Sequence, residues 1–173
     1  MLAGDRHFGF VSQSISLDYP GNTNAYRATA RQFNYDFATG NLTNQIHLGE
    51  VTNVVFSTQA FADVGGDSVY QFTTFAALSN TNILDKPQRS TLTDDSAGAI
   101  ILKESLYDYD GASGNLLMQR DRICSGSYAT NSYSYNSYGN KNSETDAAGI
   151  TTTTIYDSAT QTFPTQQTVA GSF

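Results

Sequence analysis

Two octets in this chain, YDFATGNL at residues 35–42 and YDGASGNL at residues 109–116, are identical at six of their eight positions. In each octet a tyrosine closes an extended segment, an aspartate follows, and Gly-Asn precedes the leucine that begins the next segment. An aspartate carboxylate can accept backbone N–H groups two residues further on, and Gly and Asn both tolerate the left-handed backbone of a tight turn. The octet therefore predicts a β-hairpin, and its repetition predicts a series of them.

Related turns follow the second octet at short intervals. YNSYGNK occupies residues 135–141 and YDSATQTF residues 156–163, so that Tyr109, Tyr135 and Tyr156 lie 26 and 21 residues apart. A strand, a turn and a return strand use about 20 residues, and a period of this size indicates units that bury apolar surface only by stacking on neighbours. A second turn signal, TDAAG at residues 145–149, lies between two units and echoes residues 93–98.

The remaining sequence has the same character. Alternating apolar and polar residues, rich in Tyr, Phe and Thr, predict extended segments with turns between them. The extended segments are residues 25–37, 42–48, 51–56, 69–75, 83–93 and 99–109, and the turns are residues 18–22, 63–67 and 94–98. We expect an all-β fold, a curved antiparallel sheet of repeated β-hairpins.

The predicted organisation has two regions in one continuous array. Residues 1–98 form a β region that contains the hairpin at 35–42, and residues 99–173 form the repeat array, with units near Tyr109, Tyr135 and Tyr156. We expect the chain to be a fragment of a larger protein.

Charge excludes some classes of partner. The chain has 9 basic and 16 acidic residues, a net charge of −7, and no cluster of Lys or Arg, so a nucleic-acid backbone would be repelled. No run of 18 apolar residues is present to span a bilayer, and the first residues, MLAGDRHFGF, do not read as a secretory signal peptide.

The residue types that usually carry catalysis or metal binding are sparse and scattered. His7 and His47 are far apart in sequence, and the single Cys124 has no partner for an internal disulfide. The acidic pairs do not follow calcium-loop spacing and are better explained as turn-capping residues: Asp63 with Asp67, Asp94 with Asp95, and Asp108 with Asp110. We therefore predict no catalytic, binding or metal-ligating residue, no cofactor and no enzymatic activity.

One segment leaves two interpretations open. SYATNSYSYNSY, residues 127–138, is rich in the Tyr and Asn side chains that stack on sugars and hydrogen-bond them. The same segment could equally be one exposed face of a β-sheet.

Three motifs carry a resemblance to a known family. YDGASGNL, the TIYD of residues 154–157 and the intervening TDAAG resemble the YD repeats of the RHS family, which are large secreted or surface proteins of bacteria. RHFGFVSQSISLDYPGNT at residues 6–23 and ILDKPQRSTLTDDSAG at residues 83–98 resemble the segments that precede those repeats, notably in the shell-forming B components of insecticidal toxin complexes. The likeness extends over residues 6–169.

The resemblance implies a section of a spiral β-shell that encapsulates a C-terminal toxin or effector. Its partners would be the remaining shell segments and the enclosed effector, and the parent protein would be secreted or at the cell surface. The family's self-cleaving aspartate core is not carried over, because no Asp-Pro dipeptide occurs here. Asn136 replaces the expected aspartate, Lys141 the expected leucine, and the unit at Tyr156 lacks Gly-Asn. The alternative is an extracellular β-repeat module that binds carbohydrate or a cell-surface partner.

Overall fold

A computed structural model describes residues 9–19, 21, 26–80 and 82–171, in which all regular structure is β-strand. The described residues form twelve strands: β1 (Gln13–Asp18), β2 (Arg27–Tyr35), β3 (Leu42–Val55), β4 (Ala60–Asp63), β5 (Val69–Phe75), β6 (Pro87–Thr93), β7 (Ile101–Tyr109), β8 (Leu116–Cys124), β9 (Ser127–Tyr135), β10 (Lys141–Thr145), β11 (Thr151–Tyr156) and β12 (Pro164–Ala170). The prediction of an all-β antiparallel fold built from repeated hairpins is confirmed.

The first of two compact units comprises residues 1–73 and 91–102. Its strands are hydrogen-bonded in the order β1-β2-β3-β5, and β4 also pairs with β3. The buried hydrophobic side chains of the described residues all lie here, on β2 and β3: Ala28, Ala30, Leu48 and Val51. Small side chains on β2 let the partly buried Ile15 and Leu17 of β1 pack close to this core.

The second unit comprises residues 74–90 and 103–173. Its later strands follow chain order, β7-β8-β9-β10-β11-β12, each antiparallel to the one before. Among its described residues the buried side chains are polar, Glu104 and Ser105 of β7. This unit therefore depends on strand pairing and side-chain hydrogen bonds to an unusual degree.

The polar core of the second unit is organised around Glu104. Its carboxylate accepts hydrogen bonds from Arg89 Nε at 2.6 Å and from the hydroxyl of Tyr128 at 2.7 Å. Desolvation is the largest single influence on the pKa of Glu104 and raises it. The hydrogen bonds from Tyr128 and Arg89, with the charges of Arg89 and Arg122, lower it further than that, and the pKa lies below its usual value. On the neighbouring residue, Ser105 Oγ donates to Asp121 Oδ1 at 2.5 Å. Both oxygens of the buried Glu104 carboxylate are thus paired, as a buried charge requires.

The structure corrects the sequence prediction at two places. Residues 42–48 and 51–56, expected as separate segments, form the single long strand β3, and the short strand β4 was not predicted. The pairing of β3 with β2 shifts register between Ala30 and Arg31, so that the interruption expected near residue 49 is a bulge within one strand. The predicted turn at residues 18–22 lies partly outside the described residues.

Gly49 makes this bulge possible for two reasons. Its φ is +66°, in the left-handed region, and a Cβ at this position would lie 2.0 Å from Asp67 Oδ2. That carboxylate oxygen accepts the N–H of the next residue, Glu50, at 2.9 Å. A side chain at position 49 would therefore strain the backbone and displace a hydrogen-bonded carboxylate.

We expect Gly49→Ala to destabilise the chain more than the matched change Gly40→Ala. Gly40 has a similar φ of +78°, but a Cβ there would meet nothing within 4 Å. Gly40→Ala should cost about 1 kcal/mol of unfolding free energy through backbone strain alone. Gly49→Ala should cost about 1 kcal/mol more through the lost Asp67 hydrogen bond. Urea unfolding of both variants measures the difference, and equal costs would contradict this account.

Candidate functional site

The second octet forms a turn held by its aspartate. The Asp110 N–H donates to Asn115 O at 2.9 Å, and the Gly114 N–H donates to Asp110 O at 2.9 Å. Within the loop, Asp110 Oδ1 accepts the N–H of Ser113 at 2.7 Å, and Gly114 has a φ of +72°. The side chain and both backbone polar groups of Asp110 thus close the loop between β7 and β8.

The first octet has the same structure. The Asp36 N–H donates to Asn41 O at 2.8 Å, and the Gly40 N–H donates to Asp36 O at 2.7 Å. Asp36 Oδ1 accepts the N–H of Ala38 at 2.9 Å. In both octets the glycine takes the left-handed backbone, whereas the asparagine that follows supplies the closing carbonyl. The repetition of the octet is therefore a repetition of one turn.

Three other turns of the second unit vary this arrangement without losing it, those after β9, β10 and β11. Asn136 Oδ1 accepts the N–H groups of Tyr138 and Asn140, both at 3.0 Å, so that an amide oxygen replaces the carboxylate. Asp146 Oδ1 accepts the N–H of Ile150 at 2.9 Å in the turn between β10 and β11. Asp157 Oδ1 accepts the N–H of Phe163 at 2.8 Å in a longer loop without Gly-Asn.

Neighbouring turns also contact each other. Asn136 Nδ2 donates to Gln161 Oε1 at 3.3 Å, and Asn140 Nδ2 donates to Gln161 O, which joins the turn after β9 to the turn after β11. The hydroxyl of Tyr156 donates to Lys141 O at 3.0 Å. The turn after β9 and the turn after β11 are therefore joined to each other by hydrogen bonds.

An open depression of about 430 Å³ lies between the turn after β7 and the turn after β9. It is bounded by the turn after β7, the end of β9 and the turn that follows: Asp110, Ser113, Asn115, Leu117, Tyr133, Ser134, Tyr135, Asn136, Ser137 and Gly139. Tyr133 and Tyr135 are two residues apart on one strand and so project to the same face. This arrangement combines two aromatic rings with carboxylate, amide and hydroxyl groups in one concave surface.

The electrostatics of the depression follow from these contacts. The hydrogen bonds to Asp110, first that from the Ser113 N–H, lower the pKa of its carboxyl, so a negative charge is held there at neutral pH. Burial raises the pKa of Tyr135, whose hydroxyl therefore stays protonated. Lys141 Nζ lies 5.4 Å from the centroid of the Tyr133 ring and also binds Glu144. The depression thus has one fixed anion and neutral hydrogen-bonding groups beside its two rings.

The residues considered in the sequence do not converge on a second site. His47 Nε2 lies 2.9 Å from Gln45 Nε2. Burial lowers the pKa of His47, and the positive charge of Arg31 lowers it further. His7 lies outside the described residues. Cys124 is exposed. Asp108 pairs with Arg120 at 2.7 Å.

In each of the two remaining acidic pairs, at least one carboxylate caps backbone N–H groups. Asp63 Oδ1 accepts the Gly65 N–H at 3.1 Å, and Asp95 Oδ2 accepts the Ile100 N–H at 2.7 Å. Within the described part of the chain, no three His, Cys, Asp or Glu side chains are grouped so as to hold a metal ion. The described residues also include no helix with the length and apolar character needed to cross a bilayer.

Sequence reasoning singled out residues 127–138 but missed the contribution of the preceding repeat. Asp110, Ser113 and Asn115 belong to the second octet, which was interpreted only as a turn. The repeat itself could have identified them. In an antiparallel sheet every second turn lies at the same end of the strands, so the turns after β7 and β9 are neighbours.

The turn aspartates should make folding stability fall in acid. The pKa values of Asp36, Asp95, Asp110 and Asp157 are all lowered by hydrogen bonds from backbone N–H groups. A folded-state pKa below the unfolded value contributes stability that is complete above the unfolded pKa of about 4 and is lost as the pH falls through the folded pKa. We expect the unfolding midpoint to fall steadily below about pH 4.

Asp110→Asn should reduce this acid dependence while retaining the turn, because Asn136 already performs the same role with an amide oxygen. Asp110→Ala, which removes the acceptor, should lower the unfolding midpoint at pH 7 as well. Thermal unfolding of both variants from pH 2 to pH 7 makes the comparison. An Asn variant with the full acid dependence of the parent chain would contradict the assignment for Asp110.

Comparison with known proteins adds no identification. No family model matches the chain, and a search of curated proteins found no significant match.

Proposed function

We propose that this chain is a non-catalytic wall segment of an RHS/YD-repeat protein, where it helps to form a β-shell around a C-terminal toxin or effector. The repeated Tyr-Asp turns and the order of the antiparallel hairpins support the proposal, since each sequence repeat adds two strands to the sheet. The observation that carries it is the small core. Only four hydrophobic side chains are buried among the described residues, far fewer than an independent domain of this length would bury.

The exposed hydrophobic side chains point the same way. Phe37 is 76% exposed, Ile123 is 71% exposed and Phe163 is 68% exposed. Sixteen large hydrophobic side chains are exposed among the described residues and four are buried, so much apolar surface stays in water unless other protein segments cover it. In a shell wall, the remaining segments of the parent polypeptide and the enclosed effector would cover them.

Electron microscopy and limited proteolysis of the parent polypeptide test the proposal. We expect a closed shell whose internal polypeptide resists protease until the shell is opened, whereas exposed loops are cut at once. An extended rod, or an internal polypeptide cut as fast as a surface loop, would contradict it. The isolated chain should bind a hydrophobic dye such as ANS while retaining its β-sheet circular dichroism.

A second candidate function is favoured by the depression at the repeat turns. Paired aromatic rings beside amide, hydroxyl and carboxylate groups are suited to a carbohydrate or the glycan of a cell surface. On this proposal the chain is an extracellular binding module, and Tyr133 and Tyr135 stack on sugar rings.

Glycan-array binding with matched tyrosine variants tests this second function. We expect Tyr133→Ala and Tyr135→Ala each to weaken binding by about tenfold or more, the effect of losing one aromatic contact. Tyr138→Ala is the control, because Tyr138 is 70% exposed and does not line the depression. An unchanged array signal in the first two variants, or an equal loss in all three, would remove this candidate.

A further inference from the structure

The two carboxylate oxygens of Asp110 are used unequally. Oδ1 accepts hydrogen bonds from the N–H of Ala112 at 3.2 Å, from the N–H of Ser113 at 2.7 Å and from the hydroxyl of Ser113 at 2.7 Å. Oδ2 accepts no hydrogen bond from a described residue, and the ion pairs among the described residues do not include Asp110. The turn therefore needs one oxygen of this carboxylate and leaves the other for a further partner.

The equivalent aspartates use both oxygens within their own turns. Asp36 accepts the N–H of Ala38 on Oδ1 and the hydroxyl of Thr39 on Oδ2, each at 2.9 Å. Asp157 accepts backbone N–H groups on both oxygens, at 2.8 Å on Oδ1 and at 2.6 Å on Oδ2. Among these three Tyr-Asp turns, only the one that lines the depression keeps a carboxylate oxygen that no described residue uses.

Other groups that line the depression are also unused by described residues. They are the side-chain amide of Asn115 and the hydroxyls of Tyr133 and Tyr135. The amide of Asn136, by contrast, is occupied, because its oxygen accepts the N–H of Tyr138 and its nitrogen donates to Gln161. A ligand in the depression would thus meet one ionised acceptor, one amide and two hydroxyls beside the two rings.

We propose that the depression selects sugars without an acidic group, and that Asp110 is the residue that excludes acidic ones. An ionised Oδ2 accepts a hydrogen bond from a sugar hydroxyl, but it cannot donate one and it repels a carboxylate. The nearby cation Lys141 is paired with Glu144, so the charge of Asp110 stays uncompensated. The inference rests on the carbohydrate-binding candidate function and names the class of sugar that this site takes.

Asp110→Asn reverses the hydrogen-bonding chemistry at this one position. The amide oxygen would stay in the turn, as the amide oxygen of Asn136 does, and the amide nitrogen would replace Oδ2. A group that only donates then stands where one that only accepted stood. A neutral sugar loses its charged acceptor, whereas an acidic sugar loses a repulsion and gains a donor.

Matched pairs of sugars measure the selection on the full 173-residue chain. Each pair is a methyl hexopyranoside and the corresponding methyl uronide, which differ only at C6, and the glucose, galactose and mannose pairs serve. NMR titration followed on the tyrosine ring signals gives both dissociation constants near neutral pH, where Asp110 is ionised. We expect the parent chain to bind the neutral sugar at least about fivefold more tightly, the effect of two unit charges about 4 Å apart in water.

Two variants that each remove one negative charge locate the effect. Asp110→Asn should bind the neutral sugar about tenfold more weakly and the uronide more tightly, so that the preference is lost or reversed. Asp36→Asn is the matched control, because it changes the same position of the first octet, which does not line the depression, and it should keep the preference of the parent chain. Circular dichroism checks that both variants keep their strands.

Salt tests the repulsion without any substitution. Raising NaCl from about 20 mM to about 500 mM should narrow the difference between the two sugars in the parent chain, because salt screens the charge of Asp110. A difference that salt leaves unchanged would contradict the electrostatic account.

Four other results distinguish the inference from the function on which it rests. The inference alone is overturned if the parent chain binds the uronide as tightly as the neutral sugar, if Asp110→Asn keeps the preference, or if Asp36→Asn loses it as well. Tyrosine signals that respond to none of the sugars overturn both the inference and the carbohydrate candidate, and they leave the proposed wall function standing.

Discussion

A side-chain oxygen that accepts backbone N–H groups immediately after a strand is the interaction on which this array depends. A chain that reverses at every hairpin exposes N–H groups that no strand partner can satisfy, and each must find an acceptor nearby. Asp36, Asp110 and Asp157 supply that acceptor from within their own turns, and Asn136 supplies it with an amide. The geometry of each turn is thereby determined by contacts within a few residues of sequence.

The geometry of the turns matters because few other features of the second unit could specify the register in which its strands pair. Its buried side chains are polar, and an apolar face that would penalise a slip by one residue is largely missing. Turn geometry takes over that role, since loop length and turn type determine which residues face each other across a hairpin. Bonds between turns, such as that from Asn136 to Gln161, then hold one hairpin to the next.

The small number of buried side chains also explains the exposed apolar residues of the surface. A sheet that gains stability strand by strand buries few side chains, so apolar residues such as Ile123 stay exposed. The depression beside Tyr133 also results from the repeated hairpins, because the turns after β7 and β9 lie at the same end of the strands and enclose a concave surface.

The amino-acid sequence by itself determined the class of fold and the position of most reversals, because Tyr-Asp followed by Gly-Asn acts through contacts within about six residues. The strand β5 was predicted at its observed limits, residues 69–75, from period-two alternation and from its β-forming Tyr, Phe and Thr residues. Tertiary structure alone decided that residues 42–55 form one strand, since the bulge at Gly49 depends on Asp67 from a later turn. It also decided the partners of Glu104 and brought Asp110 and Tyr133 into one depression. Side chains from different hairpins meet only in the register in which the strands pair.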